Sequence, residues 1–502
     1  MALVTWSPTH IATVSAVAIF TYFVASTAYS WYRLRKVPGP FLAGITSLWT
    51  ASVTSSGRDA LIYQELAEKF GHLIRVGPNL LLTDDPETLR RMSGARSTYG
   101  KDGFYFASIK HPDHDTMFST MNNSEHDRLK AQLAGPYGGR ETLAMEPIVD
   151  TFMELAVQYF RDRCAKDPEA TTVVNLAHVV NYLTLDIITR VAFGKELGFL
   201  QNDTDMYGLL AADRLALKTY TIPISVPWLR DITTSRWFLK LLGPKPTDKT
   251  GLGVAIGVAE KAVKKRFEPG APDEKDLLGA FVRHGLQPGP TLSEALFVMV
   301  AGSDTTASAM RSTMLHLMGS PRVYQKLKGI ILQAVSEGRV SSPIKQEEAK
   351  KIPYLQAVIY EGLRMRPPVP TMFPKVVPPQ GDEINGIFVP GGTSVGWNLL
   401  PMMRAVEYWG RDPDVFRPER FMEADEKTRA SMERLVEMVF GYGRFGCAGK
   451  PLAQMELHKF YFEMFRYFDF QLVNPEKPWN SEIWTIWMED NFMVHVTESC
   501  PV

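Results

Sequence analysis

The chain has 502 residues, 45% of them hydrophobic, with 55 basic and 55 acidic side chains. That composition supports a large buried core and excludes a disordered or collagen-like chain, and the balanced charge leaves no overall footprint for nucleic acid or an acidic membrane surface. Three cysteines, Cys164, Cys447 and Cys500, lie too far apart for a disulfide framework or a CxxC motif, so the cysteine chemistry to look for is a single thiolate.

The first readable segment is Ile11 to Tyr32, which has no charged side chain and the length of a membrane-crossing helix. Trp6 lies before it, and Trp31, Tyr32, Arg33, Arg35 and Lys36 follow. Aromatic residues suit the two interfaces, and the basic cluster places the following body on the cytosolic side. A cleaved signal peptide ending near Ser26-Thr27-Ala28 is the alternative, but the basic residues follow the apolar run rather than precede it. With this topology the sequons at Asn122 and Asn202 escape glycosylation. Val37-Pro38-Gly39-Pro40 then forbids helix continuation and reads as a hinge. The expected organisation is an anchor over 1–32, a basic and proline-rich hinge over 33–40, and one catalytic domain over 41–502.

The body reads as mainly α-helical with a small segregated β-sheet from about Phe373 to Trp397. Within it, Ile387-Phe388-Val389 and Thr393-Ser394-Val395 are expected to form a hairpin about Pro390-Gly391-Gly392. Gly251-Leu252-Gly253-Val254-Ala255-Ile256-Gly257 imitates a nucleotide loop, but no strand precedes it and it reads as ordinary helix. The longest helix is expected to open at Thr291, with Thr291 and Glu294 as a capping box, and to stop at Gly319-Ser320-Pro321, roughly 40 Å later. Its apolar flanks enclose Ala301-Gly302-Ser303-Asp304-Thr305-Thr306, a polar patch in which a Thr hydroxyl competes for the backbone ladder and opens a groove.

Tyr354 to Met365 is helical in pattern, with Glu361 and Arg364 on one face. Arg420, in the proline-punctuated segment Phe416 to Phe421, is expected to join them in a network; exposed, such pairs contribute well under about 1 kcal/mol. Next comes Phe440-Gly441-Tyr442-Gly443-Arg444-Phe445-Gly446-Cys447-Ala448-Gly449. Four glycines around one cysteine describe a backbone folded tightly against something flat, and a haem iron needs only one protein sulfur.

These residues together resemble a membrane-anchored eukaryotic cytochrome P450, over almost the whole chain. The anchor and proline hinge, the patch from Ala301 to Thr306, Glu361-x-x-Arg364, Pro418-Glu419-Arg420-Phe421 and the cysteine loop occur in family order. The cysteine loop and Lys450-Pro451 are most similar to the fungal pisatin demethylase-like branch. The resemblance implies the cytochrome P450 fold with an N-terminal transmembrane helix, haem b as cofactor, Cys447 as its axial ligand, and Phe440, Gly441, Arg444, Gly449 and Ala301 against the porphyrin. It also implies that Thr305 and Asp304 handle dioxygen and protons.

This sequence departs from the family loop pattern at Phe445, where an arginine is usual, with Arg444 one position early. His126, Lys130 and Lys375 are therefore expected to hold the propionates, with lysine a point charge rather than a rigid fork. Electrons are expected from NADPH–cytochrome P450 reductase, with cytochrome b5 as a further partner, docking near Lys130, Arg444 and Lys450. By family position, Phe104, Tyr105, Phe106 and Phe118 form a pocket roof. Val369, Thr371, Met372, Phe373, Trp484, Ile486, Trp487 and Phe297 supply walls for a lipophilic small molecule such as a fungal secondary metabolite. The expected location is the endoplasmic reticulum membrane. His111-Pro112-Asp113-His114-Asp115 reads as a solvated loop rather than a metal site. A haem-thiolate isomerase or dehydratase and a non-catalytic haem sensor are the alternatives; Asp304 and Thr305 argue against the first, a lipophilic roof against the second.

Overall fold

In a computed structural model, which describes residues 7–108, 112–139, 145–166 and 172–499, the chain begins with a helix from Pro8 to Arg33. Ser7 caps it by accepting the His10 N–H, and Pro8 suits the first turn, where its missing N–H costs nothing. Its side chains are exposed along nearly its whole length, as an apolar helix without a protein partner must be. The other helix of comparable length and apolarity, Leu176–Phe193, is buried in the body and serves as core. Trp6, His111 and Cys500 lie outside the described residues.

The first helix ends at Arg33, a turn before the proline stretch, and its end is tied to the body. The buried Arg75 guanidinium donates to the carbonyls of Ser30 (3.0 Å), Trp31 (3.3 Å), Gly44 (3.2 Å) and Pro78 (2.6 Å). Gly39 is required where the chain crosses Arg75, because a β-carbon there would collide with the Arg75 carbonyl.

The body is mainly helical, with strands β1 (Leu73–Gly77), β2 (Leu80–Thr83), β3 (Gly100–Lys101), β4 (Thr172–Asn175), β5 (Thr371–Val376), β6 (Asp382–Ile384), β7 (Ile387–Val389), β8 (Ser394–Asn398), β9 (Phe468–Leu472), β10 (Asn480–Trp484), β11 (Ile486–Asp490) and β12 (Met493–Glu498). The largest sheet has the order β1-β2-β8-β5-β3, and β4-β12-β9 form a second.

The expected hairpin is wrong in its pairing. β7 pairs back with β6 around Asn385-Gly386, whose φ values of 50° and 73° are those of a tight primed turn. β8 instead lies parallel to β2 and antiparallel to β5. Asn-Gly outcompetes Pro-Gly-Gly as the turn because both of its residues accept positive φ.

The long helix runs from Pro288 to Met318, 31 residues, and its middle is buried against Leu176–Phe193. Gly302 allows that contact, since a β-carbon there would sit 2.8 Å from Ile188. The expected capping box is absent: Gln287 occupies the cap, and Thr291 and Glu294 lie inside the helix, both buried. Proline at the first turn sets the start, one turn earlier than the Thr-x-x-Glu pattern suggests.

Candidate functional site

Cys447 sits immediately before the helix Lys450–Tyr467, in a loop that folds back on itself: its N–H donates to the Phe440 carbonyl at 2.7 Å. Gly441 has φ 72°, and a β-carbon on it would approach the Phe445 carbonyl to 2.9 Å, so this turn accepts glycine alone. The Cys447 side chain is accessible yet closely surrounded. Crowding pushes its thiol up, while the N–H groups of Gly449 and Lys450 and the Lys450 charge draw it down. The net direction is upward for the free thiol, and the two N–H donors at the helix N-terminus are the groups that would favour the thiolate once a metal binds it.

The long helix presents the other functional patch. Phe297, Ala301 and Thr305 are half-buried and four residues apart, so they form one row on the helix surface. Thr305 Oγ1 donates to the Ala301 carbonyl at 2.9 Å, the back-bond expected to loosen the ladder. Asp304 points elsewhere. It is buried, accepts from Asn181 Nδ2 at 2.9 Å, and lies beside Asp213 of the helix Leu209–Ile224. Burial and then the neighbouring Asp213 hold its carboxyl well above the usual range. Asn181 is in turn held by the buried Arg311, which pairs with Glu489 at 2.7 Å.

The expected propionate residues divide. Lys375 and His126 come together around Phe445: the Lys375 ammonium is 4.4 Å from the ring centroid, and the His126 ring is 5.1 Å away. Lys130 and Arg444 are engaged elsewhere. Lys130 donates to the carbonyls of Gly443 (3.0 Å) and Arg444 (2.6 Å). Arg444 donates to Ala95 and Ser97, both at 2.8 Å, and faces Asp127 at 3.2 Å. Lys450 pairs with Glu437 at 2.9 Å, so the basic patch expected for a redox partner is largely spent on internal contacts.

One residue of this cluster was not anticipated from the sequence. Lys101 is buried, lies directly across from Lys375 in the β3–β5 ladder, and is 5.5 Å from the Phe445 centroid. Its amine donates to the carbonyls of Met117 (2.9 Å) and Phe118 (2.7 Å). Like charges directly opposite on a sheet destabilise it, and among the described residues neither ammonium makes an ion pair. Burial pushes Lys101 down to about 7; burial, then Lys101, holds Lys375 well below its usual value. Burial and then Lys101 bring His126 down to about 4. Two buried amines of one sign, beside a loop cysteine aimed by two N–H groups, fit a flat cofactor with two carboxylates and an iron that takes one sulfur. The local sequence around Lys101, Tyr99-Gly100-Lys101-Asp102-Gly103-Phe104, reads as a charged pair between glycines and carries no signal of its own.

The expected roof assembles in part. Phe118 stacks on Phe297 with centroids 4.9 Å apart, and Tyr105, Phe104 and Phe118 each contact Phe373. Met372 and Phe373 have φ of 83° and 49° where the β5–β8 register breaks, a bulge that re-aims the strand. Trp487 is packing rather than wall: its indole N–H donates to the Pro367 carbonyl at 2.9 Å and Arg366 covers its ring. Thr371 and Met372 are likewise buried in the sheet. Asp113 of the His-Asp loop pairs with Lys240 at 2.7 Å, and no metal-holding cluster occurs among the described residues.

Comparison with known proteins agrees with this geometry. Residues 51–496 match the family model described as Cytochrome P450. The chain is 45% identical over 469 residues to cytochrome P450 monooxygenase aba1 of Botryotinia fuckeliana, covering 93% of this chain and 92% of that one. It is 41% identical over 485 residues to ABA1 of Pyricularia oryzae, covering 95% of each. Against cytochrome P450 monooxygenase abl1 of Leptosphaeria maculans the identity is 38%, over 94% of this chain and 84% of that one. With the cysteine loop, the Thr305 row and the long matched region in agreement, the chain belongs to the cytochrome P450 family.

Proposed function

We propose that this haem monooxygenase oxidises a lipophilic small molecule, of the kind made in secondary metabolism, beneath the aromatic roof of Phe118, Tyr105 and Phe373. The reading is carried by the Phe297–Ala301–Thr305 row, which runs from that roof to the polar patch of the long helix. Haem, when bound, supplies the iron that activates dioxygen, using electrons delivered from NADPH. Cys447 binds that iron, its sulfur oriented by the N–H groups of Gly449 and Lys450. Lys101 and Lys375 would balance the carboxylates, relieving the repulsion within the pair, while the His126 ring, neutral near pH 7, would offer a hydrogen bond rather than charge. Asp304 lends a buried carboxyl with a raised proton affinity, held in place by Asn181, and the Thr305 hydroxyl, which donates to the Ala301 carbonyl, leaves its oxygen at the half-buried face of the helix to accept a hydrogen bond. Apolar walls keep bulk water from the reacting centre.

Electrons come from NADPH–cytochrome P450 reductase, with cytochrome b5 as a further donor. The helix Pro8–Arg33 anchors the chain in the endoplasmic reticulum membrane, with residues 41–502 as a cytosolic catalytic domain. The test is turnover of candidate terpenoid and polyketide metabolites in reductase-containing microsomes under isotopically labelled dioxygen. The expected result is an NADPH-dependent product carrying one labelled oxygen. A product of unchanged mass formed without oxygen would replace this reading with that of an isomerase.

A further inference from the structure

The row on the long helix extends beyond the pocket. Positions 289, 293, 297, 301 and 305 are each four apart, so Gly289 and Ser293 continue the ridge of Phe297, Ala301 and Thr305 as it winds by about 40° per step round the helix. This upper half holds the segment that carries Phe118. A β-carbon on Gly289 would collide with the His114 ring, and Ser293 Oγ donates to the His114 carbonyl at 3.1 Å. Glu294, beside Ser293, accepts the N–H of Met117 through Oε1 and the hydroxyl of Tyr137 at 3.3 Å through Oε2. From the other side Lys101 binds the carbonyls of Met117 and Phe118, so the peptide unit bearing the roof aromatic is gripped at its donor and its acceptors. Phe118 then lies nearly parallel to Phe297, 23° from coplanar.

Glu294 is 1% exposed, and a carboxyl so enclosed is destabilising unless its hydrogen bonds are needed. Helix capping does not need it, since the helix begins at Pro288. We propose that Glu294 is a positioning residue for the pocket roof: by holding the Met117 amide it fixes the height of Phe118 above the Thr305 row, and so sets the size of ligand the pocket retains. This rests on the reading of that row as the haem pocket. Lys101 contributes the opposing jaw, while Tyr137 keeps the carboxylate from swinging away.

The test uses the full-length, haem-loaded protein and two iron-binding probes followed by difference spectra. Imidazole is small enough to ignore the roof, and clotrimazole has three aryl rings that must pack against it. Glu294→Ala is expected to weaken clotrimazole at least tenfold while imidazole affinity stays within twofold and haem content is unchanged. Glu294→Gln, which can still accept from Met117 and can donate to Tyr137, is expected to stay within threefold of the parent for both. Met117→Pro deletes the donated N–H and is expected to reproduce the alanine variant. Equal weakening of both probes, no weakening of either, or a Gln variant as impaired as Ala overturns the proposal. If Glu294→Ala does not load haem, Met117→Pro decides: parental clotrimazole affinity in that variant refutes the role of Glu294. A parent that gives no imidazole response would instead refute the pocket reading on which the inference stands.

Discussion

The charge cluster around Glu361 and the one around Phe445 are both buried, and they are built on opposite plans. Around Glu361 every charge is answered. Arg364 forks onto it with two bonds of 2.8 Å, Arg420 adds one of 2.9 Å, and the Arg417 N–H another of 2.8 Å. The remaining guanidinium protons go to the carbonyls of Met403, Pro413, Trp409, Asp412 and Val415. Around Phe445, by contrast, Lys101 and Lys375 face each other across a ladder, and among the described residues neither forms an ion pair with a carboxylate. A saturated network belongs to the scaffold. One left with an excess of a single sign is made for an anion that arrives from outside the chain.

Substitutions can break this contrast at either end. The largest effect is expected from Arg364→Ala, which removes both bonds of the guanidinium fork and leaves the fully buried Glu361 carboxylate with only Arg420 and the Arg417 N–H. Losing one partner of such a pair costs about 3–5 kcal/mol, enough to abolish most haem-loaded protein in expression yield and carbon monoxide spectra. Retention of normal yield would mean that the network is not a scaffold element.

The lysine pair should respond with opposite signs in two assays. Lys101→Met combined with Lys375→Met is expected to speed haem transfer to apomyoglobin by roughly tenfold or more, while raising the denaturation midpoint of the haem-free protein. The same contrast has a pH form. Lys101 titrates near 7 in the folded chain against a reference of 10.5, so between these values the unfolded chain holds a proton that the folded one has released. Haem-free stability is therefore expected to rise with pH from about 7 toward 10, and Lys101→Met to flatten that rise in urea titrations.

Thr305→Ala should leave folding intact, since the hydroxyl gives up only its back-bond to Ala301. Product formed per NADPH is expected to fall several-fold, with peroxide release making up the difference. The smallest effect belongs to Arg444→Ala. Its guanidinium is spent on Ala95, Ser97 and Asp127 near the surface, so haem transfer is expected to change less than about twofold.

Where a function is packed into consecutive residues, it could be read directly. The cysteine loop, the Glu361-x-x-Arg364 spacing and the Thr305 patch are local, and the structure builds each where the pattern put it. Lys101 could not be read this way, because what makes it unusual is Lys375 across the ladder, 274 positions later in the chain. Glu294 was misread for the related reason that Thr-x-x-Glu is a local rule, whereas its real partners, Met117 and Tyr137, belong to other segments. The β6–β7 hairpin differs from both, since its Asn385-Gly386 turn is itself a local signal, adjacent in the chain to the Pro390-Gly391-Gly392 segment on which the expected hairpin rests. His126 and Lys130 share one helix, yet only His126 reaches the Phe445 ring; side-chain direction on a helix decides that, and a sequence motif does not encode it.

Arg75 also bears on how this protein can be handled at the bench. Two of its acceptors, the carbonyls of Ser30 and Trp31, belong to the last turn of the apolar helix. A soluble version shortened beyond Ser30 removes them and leaves an enclosed guanidinium short of acceptors, whereas one shortened before that residue keeps the whole socket. The useful place to cut lies inside the hydrophobic stretch rather than at the prolines that follow it.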